Sequence, residues 1–266
     1  MRVISALVLL ASAADAGYAE KVVPGDVGFG SADVVLMGEL HDNPYHHGAQ
    51  AEWVARMKPE AIVFEMLTPE LALRAGQHLG NPAVLGAMLE WEERGWPDFA
   101  MYAPIFGAAP DAAIFGGGVP QGEARAAVAE GAAAVMGGAA DVFGLSATLP
   151  EAELEARVEE QAQAHCGALP EDLLPGMVEA QRLRDAALAR AVLAAMAETG
   201  GPVAVITGNG HARRDRGIPQ ALEAAGAGLD ILSIGQFEDA PEDEPPFDLW
   251  TVTPAVDRGD PCAPLR

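Results

Sequence analysis

Apolar residues along this chain gather into short runs, each cut off by glycine, proline or charge. Runs at Val34–Met37, Ala61–Glu65, Ala112–Phe115, Val203–Thr207, Asp230–Ile234 and Leu249–Val252 predict β-strands. Longer segments between them predict helices at Pro44–Met57, Pro69–Leu79, Pro82–Arg94, Glu151–His165, Pro175–Glu198 and Ile218–Ala225. Asn43 before Pro44 and Asn81 before Pro82 are N-cap and first-turn pairs, and Gly200-Gly201-Pro202 stops the longest helix. The alternation predicts an α/β fold whose mainly parallel central sheet is flanked by helices on both faces. A helical insertion at about 122–200 is long for a simple crossover and predicts a cap or lobe over one sheet edge. Within it, the Ala/Gly-rich stretch Ala126–Ala140 carries Glu130 and is broken by glycine, so it reads as small-residue helix and loop, not a membrane span.

Two of the strand runs end alike. Val34–Met37 leads into Gly38-Glu39-Leu40-His41-Asp42-Asn43, and Val203–Thr207 into Gly208-Asn209-Gly210-His211. Such turns deliver polar side chains to the carboxyl edge of a parallel sheet, where open α/β folds keep their ligand sites. Glu65 ends another strand after Ile62-Val63-Phe64, where a carboxylate has little structural reason to be. Glu39, His41, Glu65 and His211 therefore predict one shared site. Its donors suit either a divalent metal held by His41, Glu65 and His211, or metal-free acid–base work. The bland reading has Glu39 capping the next helix and His41 bonded to a turn carbonyl.

The motifs around these turns are long enough to carry a resemblance. GELHDNPYHHGAQ, the segment LEWEERGWPDFAMYAPI at Leu89–Ile105, AQRLRDAALA and GNGHARRDRGIP together resemble the ChaN-like haem-binding uptake proteins, from about Val34 to about Gly235. That superfamily also holds Tiki-type metalloproteases and erythromycin esterases. The resemblance implies a binding protein for haem that serves haem or iron uptake, with haem held at a dimer interface through tyrosine ligation. Tyr45 and Tyr102 are the tyrosines beyond the leader, if Tyr18 is lost with it. The wider superfamily implies the alternative of a hydrolase, in which Glu39 or Glu65 is general base or metal ligand and His41 and His211 are its partners.

Other residues follow from the ligand so implied. His46 and His47 open the Pro44 helix about 100° apart, so one of them can face His41 as a candidate axial ligand while the other is solvated. No HExxH spacing exists in the chain. Arg213, Arg214 and Arg216 precede a helix start, where cations oppose the helix dipole. Arg213 and Arg214 are candidates to grip haem propionates, unless Asp215 and the acidic surface neutralise them. Trp91, Trp96, Phe99, Tyr102 and Phe106 concentrate the aromatics of a chain that has only 6% of them. Trp91 and Phe106 read as core, Trp96 stays open, and Tyr102 is a candidate phenolate ligand.

Composition narrows the partners. Lys plus Arg is 16 against Asp plus Glu 39, a formal charge of -23 that repels nucleic acid and anionic lipid surfaces. Residues 1–19 read as a secretory signal cut after Ala16 or Ala19, with an apolar core shorter than the roughly 18 residues of a span and no nearby cysteine to carry lipid. A periplasmic protein follows, with residues 20–266 as a single domain. The two cysteines, Cys166 and Cys262, predict a disulfide, with two unpaired thiols as the alternative. A catalytic pairing of His165 with Cys166 is opposed by Gly167 and Pro170, which mark a helix end there.

Overall fold

A computed structural model describes residues 19–79, 82–260 and 262–263. The leader reading of residues 1–18, Tyr18 and the Asn81 cap lie outside the described residues. Seven strands form one sheet: β1 (Glu20–Lys21), β2 (Val34–Glu39), β3 (Ala61–Phe64), β4 (Ala113–Gly116), β5 (Val203–Gly208), β6 (Ile231–Phe237) and β7 (Leu249–Val252). Their order is β1-β7-β6-β2-β5-β3-β4, and every pairing is parallel. Six of the seven are the strands predicted from apolar runs, shifted by at most three residues at their ends. The two-residue β1 has too little pattern to be seen.

The period-two alternation of a strand sorts its residues between two cores. Val35, Met37, Ile62, Phe64, Ala204 and Ile206 face one core. Helices α1 (Pro44–Met57), α2 (Pro69–Gly76), α3 (Pro82–Met88) and α4 (Phe99–Ala108) follow the strands of that side, and α1, α2 and α4 supply Trp53, Leu71, Tyr102 and Phe106 to it. Val34, Leu36, Ala61, Val63, Val203 and Val205 face the other. That side is covered by α5 (Gln121–Glu130), α6 (Ala132–Met136), α8 (Leu174–Thr199) and α10 (Ile218–Ala224). The long α8 lies against β3, β4 and β5, and α7 (Glu151–Ala164) packs on it. The insertion is thus a cap built on α8.

Two helices differ from the sequence reading. The predicted Pro82–Arg94 helix stops at Met88, because Glu90 takes a left-handed φ of 52° that ends the helical ladder. Phe99–Ala108 is helical despite Pro104, started by the Asp98 carboxylate, which accepts from Ala100 N–H at 2.9 Å. Asn43 caps α1 as predicted, its side-chain oxygen accepting from Tyr45 N–H and His46 N–H.

Candidate functional site

The first strand delivers Glu39 and His41 because β2 runs on to Glu39 and the chain then turns before α1. Glycine makes the close approaches there possible. A Cβ on Gly38 would fall 2.3 Å from Asn209 Oδ1 and 2.8 Å from Ile234 O, and one on Gly208 would fall 3.2 Å from His41 Nε2. The short helix α9 (Asn209–Ala212) then carries His211 inward. Asn209 ties this turn to β6, donating to Gln236 O at 2.6 Å and accepting from Gln236 N–H at 3.1 Å.

His41 and His211 meet at Glu65. His211 Nε2 lies 3.5 Å and His41 Nε2 3.8 Å from the same oxygen, Glu65 Oε1. The other oxygen of Glu65 accepts from Thr207 Oγ1 at 2.7 Å and from Gly208 N–H at 2.8 Å. Behind each imidazole stands a second carboxylate: Glu39 Oε1 is 2.7 Å from His41 Nδ1, and Asp185 Oδ1 is 2.6 Å from His211 Nδ1. Glu39 does not cap the helix. Its carboxylate accepts from Tyr102 Oη–H at 2.6 Å and from Gln50 Nε2–H at 2.7 Å, and His47 Nδ1 lies 3.4 Å away.

These contacts fix the charges. Burial opposes ionisation of Glu39, but hydrogen bonds from His41 and His47 outweigh it and hold the carboxyl far below its ordinary range. Glu65 is likewise disfavoured by burial yet lowered by the charges of His211 and His41. His41 is pushed up to about 9, the charge of Glu65 and the hydrogen bond to Glu39 overcoming desolvation. His211 is raised against its burial by Glu65 and Asp185. Three imidazoliums, His41, His47 and His211, thus face three carboxylates, Glu39, Glu65 and Asp185.

The adjacent His46 and His47 are in opposite states, and neither is solvated as one was expected to be; both are buried. His47 Nε2 donates to His41 O at 2.9 Å, while its Nδ1 faces Gln50 Oε1 at 3.1 Å, an oxygen identified because Gln50 Nε2 donates to Met37 O and Glu39. With acceptors on both sides, His47 carries both protons, and its pKa is raised: burial opposes the charge, but the hydrogen bonds to Glu39, His41 O and Gln50 and the charge of Glu39 together outweigh it. His46 Nδ1 instead accepts Leu40 N–H at 2.9 Å, so that nitrogen bears no proton. Burial and the neighbouring His47 lower its pKa to about 4.

A cavity of about 510 Å³ opens on this cluster, with Glu39, His41, Gly208, Asn209 and His211 on the sheet wall and Arg157, Gln161, Gln181 and Asp185 on the cap wall. His41 faces it with a side chain 35% exposed. Trp96 is half-buried with its ring edge-on to His41 at 5.1 Å, and Trp91 and Phe106 are in the core, as expected. Two predicted ligand-binding groups are engaged by the protein itself. Tyr102 is buried, and its hydroxyl donates to an ionised Glu39; burial and that charge push its pKa far up. Arg213 makes a two-bonded pair with Asp215, and Arg214 donates to Ile231 O at 2.9 Å and lies 3.5 Å from Asp248; neither lines the cavity. The helix-dipole conflict is relieved within the chain by Asp215 and Glu160, whose oxygen Arg213 approaches to 3.5 Å.

Among the described residues no group of His, Cys, Asp and Glu is arranged to hold a metal ion. His211 and His41 stand 3.5 and 3.8 Å from Glu65 Oε1, within the range of charge pairs. Sequence reasoning missed Asp185, Gln50, Arg157 and Arg258. Asp185 carried one signal, a carboxylate directly before the apolar run Ala186–Ala189. Arg258 arrives from the C-terminal tail, hydrogen-bonded to both Asp42 and Glu238. Cys166 and Cys262 are joined in a disulfide with Cα atoms 5.7 Å apart, which ties that tail to the end of α7.

The pattern of the family described as haem-binding uptake, Tiki superfamily, ChaN matches residues 29–222. Among solved structures, one described as cofacial heme binding to ChaN of Campylobacter jejuni is similar with a TM-score of 0.61 and 16% identity, over 82% of this chain and 86% of that one. The type III effector HopBA1 is similar with a TM-score of 0.51 and 11% identity, over 84% and 88%. At these identities the likeness is one of fold. Comparison with curated protein sequences gives no match.

Proposed function

The chain belongs to the haem-binding uptake family of ChaN, and from that premise we propose that it binds haem as a small-molecule cargo at the carboxyl edge of the sheet, with His41 toward the iron. The observation that carries this reading is the state of His41. It is the imidazole of the cluster that is substantially exposed to the cavity, and its Nε2 stops 3.8 Å short of Glu65, beyond hydrogen-bond reach. Both nitrogens of His47 and the Nδ1 of His46 are engaged by the protein. The partly exposed Leu40, on the cavity wall beside His41, offers apolar contact for a flat ring.

Bound haem supplies a Lewis-acidic iron. The protein's part is to orient His41 through Glu39 and to give up the proton on His41 Nε2. We further propose that the protein is exported to the periplasm and serves haem or iron uptake, a reading supported by the leader-like start of the sequence and by a disulfide, a bond that persists in oxidising compartments. Titration of the purified protein with ferric haem, followed by Soret absorption, tests the binding. A saturable shift that weakens in His41→Ala is expected; no shift with folded protein contradicts it.

One observation supports a second reading. Two imidazoles, each backed by a carboxylate and both aimed at Glu65, make an arrangement able to relay protons in hydrolysis. Turnover of simple esters that disappears in His211→Ala would support it; its absence in wild type would leave the binding reading alone.

A further inference from the structure

Another cavity, of about 360 Å³, opens at the carboxyl ends of the neighbouring strands β3 and β4. Glu65 and Met66 follow β3 on its wall, Val119 follows β4, Trp96 comes from the segment before α4, and Arg184 comes from α8. It adjoins the imidazole cluster, since Glu65 Oε1 is 3.8 Å from His41 Nε2 and the Trp96 ring stands edge-on to His41. Arg184 is the residue that the site described above leaves unexplained. Among the described residues, the other arginines that are buried or half-buried, Arg157, Arg182, Arg213, Arg216 and Arg258, each have a carboxylate within ion-pair distance. Arg184 is half-buried and has neither such a carboxylate nor a hydrogen bond among them. Scarcity of acids is not the reason, in a chain with 39 of them against 16 bases. The carboxylates nearest the cluster, Glu39, Glu65 and Asp185, are already matched by three imidazoliums.

The Trp96 Nε1–H also has no acceptor among the described residues. Neither that nitrogen nor any of Arg184 belongs to the buried atoms without a partner, so these open donors have accessible surface. A guanidinium keeps its charge at every accessible pH, and holding it half-buried without a counter-charge is costly. An anion in the cavity relieves that cost. We propose that this cavity binds a singly charged carboxylate with an apolar body, held by Arg184, with the Trp96 Nε1–H available as a second donor. The fork of the guanidinium matches the two oxygens of a carboxylate, and Met66, Val119 and the Trp96 ring offer apolar surface to the body. Glu65 and the exposed Glu93 on the same walls disfavour a doubly charged phosphate. The acid is a separate small ligand or, on the haem reading, a propionate of a ring at His41; the site itself does not rest on that reading.

Phenylacetate and its uncharged amide, phenylacetamide, test the site on the full chain through its indole N–H resonances, the Trp96 signal being the one missing in Trp96→Phe. The acid should move that signal saturably and bind at least about ten-fold more tightly than the amide, and Arg184→Gln should bring the two to within about two-fold. Equal binding of the two probes, a Trp96 signal that does not move, or a preference that survives in folded Arg184→Gln overturns the site. The comparison of acid with amide on wild type needs no variant, and it decides where Arg184→Gln does not fold. Haem titrations at the Soret band then identify the source of the acid. If a propionate fills the site, phenylacetate weakens the binding of ferric protoporphyrin IX and leaves that of its dimethyl ester unchanged; if it weakens neither, the acid is a separate ligand. A phenylacetate response without any Soret shift keeps the site and removes the haem reading. A Soret shift without a phenylacetate response does the reverse.

Discussion

Tyr102 donates its phenolic hydrogen to Glu39 across 2.6 Å, and both side chains are buried. The bond fixes the carboxylate that in turn fixes His41. Replacing Tyr102 with phenylalanine removes one donor from a buried charge and should cost about 1.5 to 3 kcal/mol of stability by denaturant unfolding. The haem spectrum should survive, because Tyr102 is a support for Glu39 and no ligand. Loss of the Soret shift in folded Tyr102→Phe would show that the phenol itself meets the iron.

Asp185 holds His211 in its charged form from within α8, with Nδ1 and Oδ1 2.6 Å apart and both residues buried. Asp185→Asn keeps the shape and removes the charge. A buried imidazolium deprived of its partner is strongly disfavoured, so the variant should lose about 3 kcal/mol. NMR should find its His211 titrating at lower pH than in wild type. An unchanged His211 would mean that Glu65 alone maintains the charge.

Stability should peak near the ordinary histidine pKa. Unfolded, His41 and His46 both titrate near 6.5; folded, they sit at about 9 and about 4. Between pH 6.5 and 9 the native state holds a proton on His41 that the unfolded chain has lost, so that contribution is complete below 6.5 and vanishes as pH rises through 9. Below 6.5 the unfolded chain protonates His46 first, so that contribution is complete above 6.5 and is lost as pH falls through 4. Thermal midpoints should decline on both sides, and His41→Asn should flatten the alkaline limb. A wild-type midpoint that climbs steadily from pH 6.5 to 9 would contradict the assignment.

The disulfide closes a separation of 96 residues between the end of α7 and the C-terminal tail. Replacing Cys166 and Cys262 with serine should lower stability by about 2 to 4 kcal/mol. The tail should also exchange backbone hydrogens faster near Arg258, where the ion pairs to Asp42 and Glu238 would have to hold it alone. Equal stability of the two forms would show that those pairs suffice.

Much of this was legible in the chain because apolar runs and glycine turns are local signals. Val34–Met37 and Val203–Thr207 could be read as strands from their own residues, and the turns after them put His41 and His211 at one edge without knowledge of the strand order. Partners that arrive through tertiary packing were not legible. Asp185 sits in the middle of a helix, Gln50 on the buried side of α1, and Arg258 comes in through a tail with no periodic pattern. The arginines after His211 misled because the dipole argument asks only for an anion, and Asp215, two residues from Arg213, supplies one. His46 and His47 look equivalent in sequence; the Leu40 N–H and the Glu39 carboxylate make them a neutral acceptor and a cation.

Loading of haem on His41 should release a proton, since the imidazole that meets the iron must first lose one it holds up to about pH 9. Apparent affinity should therefore rise with pH by up to about ten-fold per unit below that value. Calorimetry in two buffers of different ionisation enthalpy would measure the released proton. Affinity that falls as pH rises would place the iron elsewhere.

The central claim is tested most directly by titrating ferric haem into wild type, His41→Ala and Tyr45→Phe while recording the Soret band. Tyr45 is the exposed tyrosine among the described residues and so the alternative ligand. The account predicts a saturable shift in wild type, the same shift in Tyr45→Phe, and a weakened and spectrally altered complex in His41→Ala. An unaltered band in His41→Ala together with its loss in Tyr45→Phe would contradict the account and move the iron to the exposed phenol.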